Sequence, residues 1–105
     1  MIFPSDKRPT LPKLLKFPCK EKDIDIPAEI GSEYTKFGVL LLEDNSGARI
    51  RDIANKHRDD GQKVVIEILQ EWLIGKGKQP VSWQTLTAVL KDAGFYELEK
   101  DIMKC

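Results

Sequence analysis

The residues of this chain that could do chemistry are few and lack the spacing that chemistry requires. His57 is the only histidine, and no serine stands in a nucleophile motif such as Gly-x-Ser-x-Gly. The two cysteines, Cys19 and Cys105, lie near opposite ends, and no Cys-x-x-Cys or His-x-x-x-His spacing is present. We therefore predict a protein that is not an enzyme, with no metal site and no cofactor. We expect free thiols in a reducing cytoplasm, with one bridge between the ends as the alternative.

Two further groups of residues have the composition of a site without its context. The acidic pairs Glu43-Asp44 and Asp59-Asp60 could act as acid and base or hold a cation, but they lie at predicted helix boundaries, where carboxylates cap helices. The turn Gly75-Lys76-Gly77-Lys78 has the glycines and lysines of a phosphate-binding loop, yet it joins two predicted helices rather than a strand and a helix. We predict no small-molecule substrate for either group.

Length and charge bound the class of protein. A chain of 105 residues is sufficient for one domain with one core. Its 17 basic and 17 acidic residues sum to zero, whereas a nucleic-acid-binding chain normally carries a basic excess. The longest apolar run, Val39 to Leu42, is too short to cross a bilayer, and the opening residues lack the apolar region of a signal peptide. We predict a cytoplasmic protein that binds other proteins, not membranes or nucleic acid.

The composition divides the chain into residues 1–22 and residues 23–105. Residues 1–22 contain Pro4, Pro9, Pro12 and Pro18, which predict an arm or interdomain linker through which no regular helix runs. A proline-rich ligand motif is the alternative for this segment. Residues 23–105 show apolar residues at helical spacing and form the predicted folded domain.

Six helices follow from the spacing and its punctuation. Proline, glycine and capping residues mark the helix boundaries. The first predicted helix is Pro27–Ile30, and the last carries Leu98 and Ile102. The four helices between them are predicted to begin at the caps Ser32, Ser46, Asp59 with Gln62, and Ser82. Short turns between helices favour antiparallel neighbours, so the predicted fold is an all-α, six-helix antiparallel bundle. Trp72 and Trp83 lie in phase with the apolar stripes of their helices and are predicted in the core.

The stretch from Ile68 to Gly94 resembles the fourth and fifth helices of the death domain family. The features in order are a Trp-Leu pair ending one helix, two turn glycines, a Ser-Trp opening the next helix, two leucines and a closing glycine: Trp72-Leu73, Gly75, Gly77, Ser82-Trp83, Leu86, Leu90 and Gly94. The third helix, with Ile50-Arg-Asp-Ile-Ala, fits the same family. Tyr34 stands where the family usually has tryptophan, and the Arg-x-Asp-Leu-Leu of the effector type is absent. The resemblance covers residues 24–104 and implies a death-domain-like bundle that assembles with other death-fold domains in apoptotic or innate immune signalling.

Death domains assemble through asymmetric contacts between charged helix faces and corners, so the resemblance directs attention to surface charge. The candidate interface residues are the basic set of the third helix (Arg49, Arg51, Lys56 and Arg58), the acidic corners (Glu43, Asp44, Asp59 and Asp60), and the later charges Lys76, Lys78, Lys91 and Asp92. Two alternatives stay open. One is a small helical nucleic-acid-binding domain that uses the third helix. The other is a docking domain of a larger protein that does not assemble.

Overall fold

The computed structural model describes residues 8–19, 23–43, 47–77 and 79–104. They form seven helices, which are α1 (Leu11–Leu15), α2 (Ile26–Ile30), α3 (Tyr34–Leu42), α4 (Ala48–Lys56), α5 (Gly61–Leu73), α6 (Trp83–Asp92) and α7 (Tyr96–Lys104). Extended pairing in these ranges is limited to one isolated bridge between Phe17 and Ile24. The predicted all-α class is confirmed, and α2 to α7 correspond to the six predicted helices. Within the described ranges no helix has the length and apolar character needed to cross a membrane.

Helix α5 lies at the centre of the packing and contacts α1, α2, α3 and α4. Its apolar residues recur at the helical spacing that the sequence shows, and the core positions are Val64, Val65, Ile68, Leu69 and Trp72. Trp72 is fully buried and Trp83 is 6% exposed, so the prediction that both tryptophans belong to the core is confirmed.

The carboxyl-terminal pair of helices also follows the predicted pattern. The Ser82 hydroxyl accepts a hydrogen bond from the Thr85 backbone N–H at 3.1 Å, which confirms Ser82 as the N-cap of α6. Helix α7 packs against α6 and buries Leu98 and Ile102. Most of the other side chains of α7 are exposed.

The start of α5 differs from the prediction by one residue. The N-cap is Asp60, whose side chain accepts from the Lys63 backbone N–H at 3.4 Å, and the capping box predicted for Asp59 with Gln62 is wrong. Asp59 has a left-handed backbone with φ of 61° and accepts instead from the Tyr34 hydroxyl at 3.3 Å. Asp59 therefore contacts α3, and Asp60 caps α5.

The N-cap of α3 is also displaced by one residue. It is Glu33, whose side chain makes no capping hydrogen bond, so the prediction of Ser32 is wrong. Gly31 ends α2 with φ of 56°, and this left-handed turn sets where α3 can begin. The predicted cap Ser46 lies outside the described residues, and Gly47 occupies the N-cap position of α4.

Gly61 opens α5 where two backbones meet. A Cβ on Gly61 would lie 2.5 Å from the carbonyl carbon and oxygen of Gly31, inside van der Waals contact. This close approach locks the α2–α3 turn against the start of α5. It explains why a residue with poor helix propensity stands in the first turn of the central helix.

The amino-terminal segment packs onto the bundle. Pro12 lies in the first turn of α1, where proline costs no helical hydrogen bond, so the prediction that no regular helix runs through this segment is wrong. Leu14 is fully buried. Phe17 exchanges two backbone hydrogen bonds of 2.8 Å with Ile24. Residues 8–19 thus contribute to the core, although the sequence predicted an arm or linker over residues 1–22.

Phe17 also makes an aromatic contact that joins the amino-terminal segment to the start of α6. Its ring meets Trp83 edge to face, with centroids 5.0 Å apart and an interplanar angle of 63°. Nearby, the Arg8 guanidinium donates to the Leu73 carbonyl at the end of α5, at 2.8 Å. The segment is therefore held at both of its described ends.

The redox state of Cys19 differs from the prediction. Cys19 is disulfide-bonded, so the expectation of a free thiol is wrong for this residue. Cys105 lies outside the described residues. Because disulfides persist mainly in oxidising compartments, the disulfide at Cys19 does not support the predicted cytoplasmic location.

Replacing Phe17 with alanine tests whether the amino-terminal segment is part of the fold. We expect Phe17→Ala to lower the free energy of unfolding by about 3 kcal/mol, because it removes a buried ring and its contact with Trp83. Urea unfolding monitored by circular dichroism measures the change. The exposed Lys13→Ala in the same segment is the control and should stay within about 0.5 kcal/mol of wild type. If Phe17→Ala leaves the free energy of unfolding unchanged, the segment is a dispensable arm.

Candidate protein-interaction surface

A buried carboxylate organises the first group of charges. Glu71 is only 6% exposed, and it lies three residues after Ile68 on the buried side of α5. The Arg49 side chain, from the first turn of α4, donates to it through Nε at 3.2 Å and also through Nη2. Lys76 Nζ, in the turn after α5, lies 3.9 Å from Oε1 of Glu71. Two cations from different parts of the chain therefore compensate one buried anion.

The Arg49 guanidinium contacts Glu71 through two of its nitrogens and so links α4 to α5. Paired N–H donors from one guanidinium match the two oxygens of one carboxylate. The hydrogen bond to Glu71 raises the pKa of Arg49 above its ordinary value, outweighing the opposite effect of burial. The half-exposed guanidinium closes one side of a shallow depression of about 480 Å³, which Leu42, Glu43 and Lys76 also line.

A second cluster lies one helical turn earlier on α5. Glu67 Oε1 is 2.7 Å from His57 Nε2 and 3.1 Å from Lys56 Nζ, both at the end of α4. Burial acts to raise the pKa of Glu67, but the hydrogen bonds and charges of His57 and Lys56 outweigh it, so the pKa lies below the ordinary 4.5. The side chain of Glu67 is 19% exposed, which makes this cluster more hydrated than that of Glu71.

Neither acid was identified from the sequence, although a signal was present. Glu67 and Glu71 are four residues apart and share one side of α5. Arg49 and Lys56 are seven residues apart and share one side of α4. Matching acidic and basic stripes on consecutive helices predict that the stripes face each other.

The structure brings some of the predicted interface residues together and separates others. Glu43, Arg49 and Lys76, predicted as parts of three different sets, meet around the depression at Glu71. Lys56 is drawn into the Glu67 cluster, while Asp59 and Asp60 serve the turn before α5.

The remaining predicted residues lie on the outside or cannot be placed. Arg51 on α4 and Arg58 in the turn after it are exposed, as are Lys91 and Asp92 at the end of α6. Asp44 and Lys78 lie outside the described residues. Throughout the described ranges, no group of three or more His, Cys, Asp and Glu side chains is placed to hold a metal ion.

A groove that no sequence pattern indicated runs between α2 and the start of α7. It measures about 350 Å³, and the residues on it are Glu29, Gly94, Phe95, Tyr96, Glu97, Leu98 and Asp101. Tyr96 is 57% exposed, which is unusual for a large aromatic side chain. We call this feature the acidic groove, because three of the residues that line it are acidic.

Reversing the charge of Arg49 tests the link between α4 and α5. We expect Arg49→Glu to lower the free energy of unfolding by about 2 kcal/mol, because Glu71 would lose its partner and face a second carboxylate. The cost stays below that of a fully buried pair, since 49% of the Arg49 side chain is exposed. Urea unfolding measures the change, and Lys36→Glu, a charge reversal at an exposed residue of α3, is the control. Equal stability of the two variants would contradict the proposed role of Glu71.

Acidification tests the Glu67 cluster. Because its pKa is lowered in the folded state, Glu67 contributes stability above the ordinary value of 4.5, and this stability is lost as the pH falls through the folded value. Glu67→Gln should therefore be less stable than wild type at pH 7, with a difference that shrinks towards pH 3. Thermal unfolding across this range measures the difference. The exposed Glu33→Gln serves as control, and a difference that stays constant with pH would contradict the assignment.

Comparisons with protein-family models, with curated proteins and with solved structures found no match to this chain. The charged features of the described surface are the two ionic clusters, the mixed charges of α4 and the turn after it, and the acidic groove.

Proposed function

We propose that this protein is a death-domain-like interaction module that assembles with copies of itself and with other death-fold domains. The observation that carries the proposal is the presence of two separate groups of exposed charged side chains on one small helical domain. The first comprises Arg51 on α4 and Arg58 in the turn after it, with the exposed Asp52, Asp59 and Asp60 in the same part of the chain. The second is the acidic groove.

The ionic clusters narrow the interface that the sequence predicted. Arg49 and Lys56 belong to the link between α4 and α5, because they contact Glu71 and Glu67. The exposed charge of α4 and of the turn after it is mixed in sign. This also weakens the nucleic-acid alternative, since Arg49 and Lys56 are compensated within the domain.

The two surfaces belong to different parts of the bundle. Helix α4 packs against α3 and α5, whereas α7 packs against α6. A molecule whose complementary surfaces are separate joins its neighbour head to tail, and such contacts repeat instead of closing at a dimer. Repeating contacts of this kind are what the resemblance to death domains implies.

The cellular setting of the proposal comes from the resemblance. The order of the six helices and the buried positions of Trp72 and Trp83 agree with a death-domain-like bundle. On that basis we propose signalling of the apoptotic or innate immune type, with other death-fold domains as partners. Recombinant folding in oxidising and reducing buffers would reveal which redox state the domain tolerates.

Sedimentation velocity over a concentration series tests assembly. Wild type should grow in mass with concentration, and added salt should reverse this growth because exposed charges are screened. The Arg51→Glu/Arg58→Glu variant should remain monomeric at concentrations where wild type assembles. Arg49 is left unchanged, because its reversal would also disturb Glu71.

The matched control reverses the same number of charges elsewhere. Lys13→Glu/Lys36→Glu changes two exposed lysines, one on α1 and one on α3, and should assemble as wild type does. A wild-type protein that stays monomeric at every concentration and salt would exclude self-assembly. If the Arg51→Glu/Arg58→Glu variant assembles as wild type does, Arg51 and Arg58 are not part of the contact between copies.

A further inference from the structure

We propose that the disulfide at Cys19 is a redox-sensitive latch, which holds residues 8–19 against the bundle and releases them when a dithiol reduces it. The bonded cysteine lies in the segment whose aromatic side chain contacts the ring of Trp83. Release of this segment does not require self-assembly, so the latch and the proposed function can fail separately.

Few noncovalent contacts hold the segment on the bundle. Helix α1 has five residues and is too short to be stable without its neighbours. Three side chains of residues 8–19 are buried, namely Pro9, Leu14 and Phe17. Their burial has to offset the conformational entropy that is lost when the whole segment is ordered. Segments with few buried side chains open locally at a lower free energy than the core does.

The bond lies where it restrains the contact with Trp83. Cys19 follows Phe17 by two residues, and Phe17 pairs with Ile24 through two backbone hydrogen bonds of 2.8 Å. While the bond is intact, it limits how far Phe17 can move away from Trp83. Cys19 is only partly buried against the core, so a thiolate from solution can approach the disulfide.

Opening of the latch is a thiol–disulfide exchange. One thiolate of the reducing dithiol attacks a sulfur of the bond and forms a mixed disulfide, and the second thiol of the dithiol then displaces the protein sulfur. Two electrons and two protons pass to the protein, its S–S bond becomes two thiols, and the dithiol becomes a disulfide. Cys105 is the other cysteine of the sequence, so a bond within one chain joins residues 19 and 105.

Release uncovers an apolar surface that the closed domain conceals. The Trp83 ring, which is 6% exposed, loses the Phe17 ring that packs against it. Helix α1 leaves its contacts with α2 and α5, whereas α5 keeps its contacts with α2, α3 and α4. The bundle therefore persists, and the redox state of the chain decides whether its apolar surface beneath the segment is covered.

Amide hydrogen exchange, followed residue by residue by NMR in the oxidised and the dithiol-reduced chain, tests local release. We expect reduction to accelerate exchange at Phe17 and Ile24, whose N–H groups bond each other's carbonyls, at least about tenfold more than at Ile68 in α5. Equal acceleration at all three residues, or none, would contradict a local latch. Loss of the helical circular dichroism on reduction would also contradict it, because the bond would then be required for the whole fold.

Acrylamide quenching of tryptophan fluorescence tests what the release uncovers. Reduction should increase quenching, because Trp83 loses its cover while the fully buried Trp72 stays in the core. Cys19→Ser should show the increased quenching without reductant and should not respond to it. Trp83→Phe is the control and should abolish the increase. An increase that persists in Trp83→Phe would mean that the core around Trp72 loosens, which overturns the proposal.

The intact mass of the oxidised protein tests whether the bond lies within one chain. We expect a monomer that is two hydrogens lighter than the reduced chain. Two copies joined by a reducible bond would overturn an intramolecular latch. All of these measurements use dilute protein, so a failure of self-assembly in sedimentation leaves their outcomes unchanged.

Discussion

The burial of α5 is the constraint on which the rest of the structure depends. This helix contacts four others, and its apolar residues can leave water only if those helices surround it. Gly61 permits the closest of these approaches, because any side chain there would strike the Gly31 backbone. Trp72, fully buried near the end of α5, brings an indole N–H that finds no acceptor among the described residues, so its contribution comes from the volume it fills.

The charges of α5 show how a small domain accommodates carboxylates that folding removes from water. Glu67 and Glu71 stand on the side that meets α4, and removing carboxylates from water is unfavourable unless cations accompany them. Arg49, Lys56 and His57 supply those contacts.

The amino-terminal segment completes the hydrophobic core. Prolines prevent a long helix there, but a single turn suffices to bury Leu14 and to bring Phe17 onto Trp83. The bond at Cys19 restrains the same segment covalently, and restraint of this kind stabilises small domains by limiting the unfolded chain. The segment closes a side of the bundle that would otherwise expose the Trp83 ring.

The sequence by itself determined the helical class, the positions of six helices and most of the core, because helical periodicity and capping residues are local and repeat along the chain. It also determined the two tryptophans as core residues, and Ser82 as a cap. Only the tertiary structure decided which charges are internal, since Arg49 and Glu71 lie far apart in sequence and meet through the packing of α4 on α5. The same holds for the acidic groove, whose walls come from α2 and α7. Long-range contacts have no local period, so a surface assembled from distant segments becomes visible only when the helices are in place.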